Sequence, residues 1–182
     1  MSDKHKHEGE KWIKFVQSID SDITPQAIRL IGEWRRISHS MHQLSTASLI
    51  NSGLTEAQYL VLLSLYMNEE IHGRSELNPS EISKWRGTSR NTISSLIRGL
   101  EDDGFIERHL DKEDRRKFNI CLTTTGRAKV SKYVHINFKS VGSCFNRLSD
   151  GEQETLAHLL NKLNDNLKDA HAELENKATT GD

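Results

Sequence analysis

Apolar residues recur every three or four positions along most of this chain, and the places where that rhythm breaks mark its elements. Ile28, Ile31, Trp34, Ile37, Met41 and Leu44 form one face of a long helix. It opens at Thr24-Pro25, a capping hydroxyl followed by proline at the first helical position, and ends before Gly53. Thr55-Glu56-Ala57-Gln58 is a capping box, with Leu54 and Tyr59 as its staple, and the helix it opens runs through Leu60, Leu63 and Tyr66 to about residue 70. A loop around Gly73 follows. Asn78-Pro79-Ser80-Glu81 opens a short third helix, stapled by Leu77 and Ile82 and stopped by Gly87. A fourth begins at Thr88 or Ser89, with Ile93, Leu96, Ile97 and Leu100 as its buried stripe and Gly104 as its stop.

Beyond Gly104 the period changes. Residues 105–109 and 118–122 read as paired strands around a charged hairpin tip. Thr123 or Thr124 then caps a helix through Val130, Val134, Phe138 and Val141. Ser149-Asp150-Gly151-Glu152 opens another, carrying Leu156, Leu159, Leu160, Leu163, Leu167 and Leu174. Residues 1–23, with Trp12, Ile13, Phe15 and Val16, read as a short helix or an arm, and Lys177 to Asp182 as a loose end. The predicted fold class is mainly α with a small β-hairpin wing. Helix, turn, helix, strand, charged loop, strand is the order of a winged helix-turn-helix. The expected organisation is an extension over 1–23, a domain over 24–170 and a tail over 171–182. Within the domain, 55–123 is the DNA-binding core, and 24–51 and 124–170 are dimerisation helices.

Rotating 100° per residue puts Asn91, Ser95 and Arg98 opposite the buried stripe, flanked by Arg90 and Ser94. Asparagine reads adenine, arginine reads guanine, and Ser or Thr reaches a base edge or a phosphate. Thr88, Ser89 and Thr92 sit at the helix start, where free amides suit a phosphate. The alternative is a plain solvated face, but such faces usually carry Glu and Asp, and Ile82 to Leu100 holds Lys84, Arg86, Arg90 and Arg98 with no acid. In the charged loop, Arg115, Arg116 and Lys117 form a second basic cluster. An arginine on a hairpin tip fits the narrow minor groove, and an aspartate such as Asp114 can hold its guanidinium in place. Taken alone, that loop reads more readily as a solubilising turn; beside the fourth helix, the DNA-contacting reading prevails.

Composition sharpens this reading in part. The 182 residues carry a net charge of -1, which by itself argues against a nucleic-acid binder. The basic patch is offset by acids gathered in the last third, the distribution of a protein that meets DNA through one surface. Only 35% of residues are hydrophobic, and no apolar run approaches a membrane span. The first residues carry no apolar signal region, so a cytoplasmic location is expected. Cys121 and Cys144 form no disulfide framework and have no metal-ligand spacing, so structural roles are expected, with oxidant sensing as the alternative. His39, His42 and His135 complete no recognisable ligand set, and neither a metal nor a cofactor is expected. Trp34, Tyr59 and Tyr66 are read as core, or as lining an effector pocket. The leucines of the last helix and the apolar face of residues 24–51 exceed what a small winged unit needs, which points to a homodimer or to intramolecular packing.

The run Leu100-Glu101-x-x-Gly104-Phe105-Ile106-Glu107-Arg108, then Asp114-Arg115-Arg116, then Leu122-Thr123-x-x-Gly126 resembles the MarR family of bacterial transcription regulators, over about Pro25 to Leu167. The resemblance implies an obligate dimer of winged helix-turn-helix units joined by their first and last helices. It implies that Ser89 to Arg98 lie on the recognition helix, that Asp114 and Arg116 match the Asp-x-Arg of the wing, with Arg116 in the minor groove, and that Arg115 lies near backbone phosphate. It also implies a small phenolic or aromatic anion as effector. The cysteine of the family's peroxide sensors is absent from the first helix. His135 lacks the partner of the His-x-x-x-His pair used by its zinc sensors.

The expected function is a homodimeric, sequence-specific double-stranded DNA-binding transcription regulator, a ligand-responsive repressor. An activator, or a winged-helix protein-interaction module without DNA binding, are the alternatives. A thiol hydrolase using Cys121 finds no nucleophile motif, and no enzymatic activity is expected.

Overall fold

The computed structural model describes residues 3–111 and 117–180. Its elements are α1 (Asp3–Ile19), α2 (Pro25–Ser48), α3 (Glu56–His72), β1 (Glu76–Leu77), α4 (Pro79–Arg86), α5 (Arg90–Asp102), β2 (Ile106–Leu110), β3 (Phe118–Leu122), α6 (Thr124–Phe145) and α7 (Asp150–Thr180). Two compact units result, residues 1–140 and 141–182. Among the described residues no helix is long and apolar enough to cross a membrane.

The caps form where the sequence places them. Thr55 Oγ1 accepts from the Gln58 amide at 3.2 Å, while the Gln58 side chain accepts from the Thr55 amide at 2.9 Å. Asn78 Oδ1 accepts from the Ser80 and Glu81 amides, each at 3.0 Å, and Glu81 returns a bond to the Asn78 amide at 2.8 Å. Both staples close, since Leu54, Tyr59, Leu77 and Ile82 are all buried. Gly87 takes φ +59°, the left-handed conformation that turns the chain from α4 into α5 without a Cβ clash.

Three differences from the sequence-based expectation stand out. Residues 71–77 are not all loop. α3 runs to His72, and Glu76-Leu77 form a short strand that pairs antiparallel with β3, giving the sheet order β1-β3-β2. Buried Asn68 holds the connection by donating to the Arg74 and Glu76 carbonyls. Residues 3–19 form a regular helix, of which Trp12 and Phe15 pack with ring centroids 5.6 Å apart. The helix α7 continues through Lys177 to Thr180, where a tail was expected; Lys177 and Ala178 are strong helix formers.

The core of the first unit draws on every element of the winged unit. Tyr59, Val61, Leu62 and Leu65 come from α3, Leu77 from β1 and Ile82 from α4. Ile93, Ile97 and Leu100 come from α5, Ile106, Ile120 and Leu122 from β2 and β3, and Val130 and Tyr133 from α6. At about 1.5–3 kcal/mol for each large side chain removed from water, this cluster holds an eight-residue helix such as α4 that could not stand alone. On its other side, α6 is tied to the end of α2 and the turn after it by polar contacts. Tyr133 donates to the Asn51 carbonyl at 2.6 Å, and Asn137 donates to Ser45 and Ser48.

Candidate nucleic-acid interface

Ser89 starts α5 in extended backbone, and its Oγ accepts from the Thr92 amide at 3.2 Å. The Ser89 and Thr92 hydroxyls also share a hydrogen bond at 2.9 Å. These local bonds leave the amides of Arg90 and Asn91 as the helix's free donors, with the positive end of the dipole behind them. Ile93, Ile97 and Leu100 point into the core, while Arg90, Asn91, Thr92, Ser94, Ser95 and Arg98 are all exposed. Periodicity therefore located the outward face. Thr88 is different: it is half-buried, its hydroxyl donates to the Arg86 carbonyl at 3.2 Å, and its carbonyl accepts from Ser83. It shapes the turn between α4 and α5.

The wing is partly in view. Lys117 is exposed at the start of β3. Asp114, Arg115 and Arg116, singled out in the sequence, lie outside the described residues. At the hairpin base the Asp111 amide donates to the Lys117 carbonyl at 3.0 Å, and Asn119 donates to the Asp111 carboxylate at 3.0 Å.

Between the start of α4, the exposed side of α5 and the sheet lies a cleft of about 530 Å³. Asn78, Ser94, Arg98, Arg108, Lys117 and Phe118 are among the residues that line it. Sequence reasoning missed Arg108 as part of this surface. The signal was available, because Arg108 shares a strand face with core residue Ile106, which turns it towards α5. Arg108 pairs with Glu101 at 2.7 Å, joining the end of the recognition helix to β2.

Gly126 explains the last piece of the sequence motif. A Cβ at this position would lie 1.9 Å from the Phe105 carbonyl oxygen. Thr123 closes the same junction. Its amide donates to that carbonyl at 3.1 Å, its hydroxyl donates to the Gly104 carbonyl at 2.8 Å, and its Oγ1 accepts from the Gly126 amide at 3.0 Å. Arg127, the next residue, pairs with Glu69 of α3. The start of α6 is thus locked to the end of α5 and the start of β2.

The remaining candidates resolve individually. His42 pairs with Glu56, whereas His39 and His135 are exposed. Tyr59 is fully buried in the core, and Trp34 is 49% exposed on α2. Cys144 is exposed and Cys121 buried. Burial, followed by the nearby Glu107 carboxylate, pushes the Cys121 thiol up to about 11. At neutral pH it is held as the thiol, the less reactive form towards oxidants.

Comparison with known proteins agrees with this architecture. The sequence profile of the MarR family matches residues 52–117, from the start of the winged unit to the residue before β3. The HTH-type transcriptional repressor YetL of Bacillus subtilis is 29% identical over 127 residues, covering 70% of this chain and 74% of YetL. The transcriptional repressor MprA of Escherichia coli is 25% identical over 154 residues, covering 85% of each. Among solved structures, the Staphylococcus aureus MepR–DNA complex superposes with a TM-score of 0.65 at 31% identity, covering 73% of this chain and 94% of MepR. These relatives are transcription regulators, not enzymes. On its profile match, its relatives and its winged architecture, the chain belongs to the MarR family.

Proposed function

We propose that this chain is a homodimeric, sequence-specific DNA-binding repressor that a small ligand releases from its operator. The observation that carries this reading is the exposed face of α5 from Arg90 to Arg98, which holds no acid: Arg90, Asn91, Thr92, Ser94, Ser95 and Arg98 on a rod capped by Ser89. A rod of this width enters a major groove. There Asn91, Ser95 and Arg98 meet base edges, while Ser89 and the first amides face phosphate. Thr88 supports the turn behind them. In the wing, Arg116 enters the minor groove, Asp114 positions it, and Arg115 and Lys117 lie along the backbone. MepR, similar in fold and 31% identical, has been solved on DNA, and YetL and MprA are repressors, which supports DNA as the target and repression as the sign of regulation.

Twofold pairing follows from the demand of two half-sites about one helical turn apart. The uncovered apolar side chains of α2 supply a surface for it. The effector reading rests on the 530 Å³ cleft, where Arg98 and Arg108 stand beside the Phe118 ring and Ile97. A small aromatic anion suits those walls. Seated there, it would engage Arg98 and withdraw it from DNA.

The test is operator affinity, measured after selection of a site from random DNA. Arg98→Ala and Asn91→Ala should each lower discrimination by about 1–3 kcal/mol. Arg116→Ala should weaken binding on every sequence and reduce the slope of log affinity against log salt by about one. Equal losses on selected and random DNA would demote α5 to a phosphate contact, and no salt-dependent affinity at all would favour a protein-interaction module.

A further inference from the structure

The register of the three strands brings four metal-ligating side chains from distant parts of the sequence onto one face of the sheet. Cys121 of β3 is paired with Glu76 of β1 on one side and with Glu107 of β2 on the other. His109 lies two residues beyond Glu107, and so on the same face. The His109 ring stands 2.9 Å from a Glu76 carboxylate oxygen through Nδ1 and 3.5 Å from Glu107 through Nε2. The Cys121 Sγ lies 3.8 Å from Nδ1, 3.9 Å from Nε2 and 3.5 Å from the Glu107 carboxylate. The ligand atoms of Glu76, His109 and Cys121 all fall within 4.8 Å of one another.

We infer that this face binds a divalent transition-metal ion of the zinc class, with Cys121, His109 through Nδ1, and Glu76 as its ligands and water completing the set. The separations carry the inference. Sulfur at about 2.3 Å and nitrogen or oxygen at about 2.0–2.2 Å from a tetrahedral ion lie roughly 3.4–3.6 Å apart. The gaps at Nδ1, 2.9 Å to Glu76 and 3.8 Å to the Cys121 sulfur, bracket that edge, and all three donor atoms lie within 4.8 Å of one another. The donors also select the ion. One sulfur, one imidazole and one carboxylate suit zinc or cobalt, whereas an all-oxygen set would suit calcium or magnesium.

Access and rigidity divide between the ligands. Cys121 is buried at 7% exposure on the central strand. His109 and Glu107, at 48% and 55% side-chain exposure, leave an entry path. Binding would release the thiol proton and the proton shared by His109 and Glu76 to solvent, leaving thiolate, imidazole and carboxylate on the cation. Because β1 leads directly into the Asn78 cap of α4 and the β2–β3 hairpin carries the wing, one ion would staple all three strands. None of this depends on how α5 meets DNA.

The chain has nine histidines, so metal stoichiometry alone does not locate the site. Titration of the full-length, reduced protein with cobalt(II) does, through the near-ultraviolet charge-transfer absorption of a cobalt–thiolate bond. The wild type and Cys144→Ser should show that band, and zinc should remove it by displacement. Cys121→Ser and His109→Ala should lose it, with circular dichroism confirming that each is folded. The surface position of His109 keeps the test valid should Cys121→Ser prove unstable. Absence of the band in the wild type, its persistence in Cys121→Ser, or an unchanged titration in folded His109→Ala would each overturn the assignment.

Discussion

Gly126 shows how a single missing methyl group sets the geometry around a recognition helix. With 1.9 Å between a would-be Cβ and the Phe105 carbonyl oxygen, the backbone at the start of α6 touches the backbone that leaves α5, and no rotamer change relieves the clash. Gly126→Ala should therefore destabilise the fold by about 1–3 kcal/mol, the range for overpacking a closed junction. Chemical denaturation checks this, and a midpoint unchanged from wild type would mean the junction yields cheaply. Tyr59 presents the opposite case. Its ring fills the core at 0% exposure, yet among the described residues its hydroxyl is the buried side-chain polar atom with no hydrogen-bond partner, and burial pushes its pKa up to about 12. A desolvated, unpaired hydroxyl costs about 1–3 kcal/mol, so Tyr59→Phe should leave stability unchanged or raise it. A loss above roughly 1 kcal/mol in the same denaturation series would reveal a bond to that hydroxyl, because typical single hydrogen bonds contribute about this much.

Elements were legible wherever periodicity and caps spoke together. Thr24-Pro25, the Thr55 and Asn78 boxes and the glycine after α4 put helix boundaries within a residue or two of those observed. The outward face of α5 followed from the angular spacing of Ile93, Ile97 and Leu100. What escaped is what tertiary structure alone creates. β1 is two residues long and exists through its pairing with β3 and the hold of Asn68, neither of which has a periodic trace. The same strand brings Glu76 to Cys121, so the three-ligand cluster could not be found from spacing in the sequence. Arg108 was hidden differently, within a motif read for its family pattern rather than for its strand face. The caps themselves are testable. The helix α4 has eight residues, and Asn78 satisfies two of its first amides at once. Asn78→Ala should cost about 0.5–2 kcal/mol. Because α4 supports α5, hydrogen exchange should accelerate in both helices, and acceleration confined to residues 79–82 would show that the two helices are held independently.

At the scale of the molecule, the described single chain leaves apolar stripes uncovered, the surface that the proposed dimer would use. Within the first unit, Ile31, Trp34 and Ile37 repeat along α2 and are 49%, 49% and 59% exposed, although their spacing is that of a buried stripe. Trp12 and Phe15 of α1 are similarly uncovered. Within the second unit, Leu159, Leu160, Leu163 and Leu167 of α7 form another such stripe, each at least 40% exposed. Large apolar patches of this kind mark protein interfaces, and a regulator that reads a two-part operator needs a second copy of itself. Pairing turns the second half-site contact into an intramolecular event, which strengthens binding by about 10²–10⁴-fold over one unit alone. A charge in the stripe should undo both effects together. Trp34→Glu would place a carboxylate where a partner's apolar face must sit, while on the isolated chain it stays solvated and leaves the core of α3, α5 and the sheet untouched. The expected result is a monomer by analytical ultracentrifugation with wild-type circular dichroism, and a loss of operator affinity within that same range of about 10²–10⁴-fold. Affinity for a single half-site should hardly change, because α5 is intact. A dimer that survives Trp34→Glu and also a charge at Leu163 would place the twofold contact on some other surface, and a wild-type monomer that binds the full operator tightly would remove the need for one.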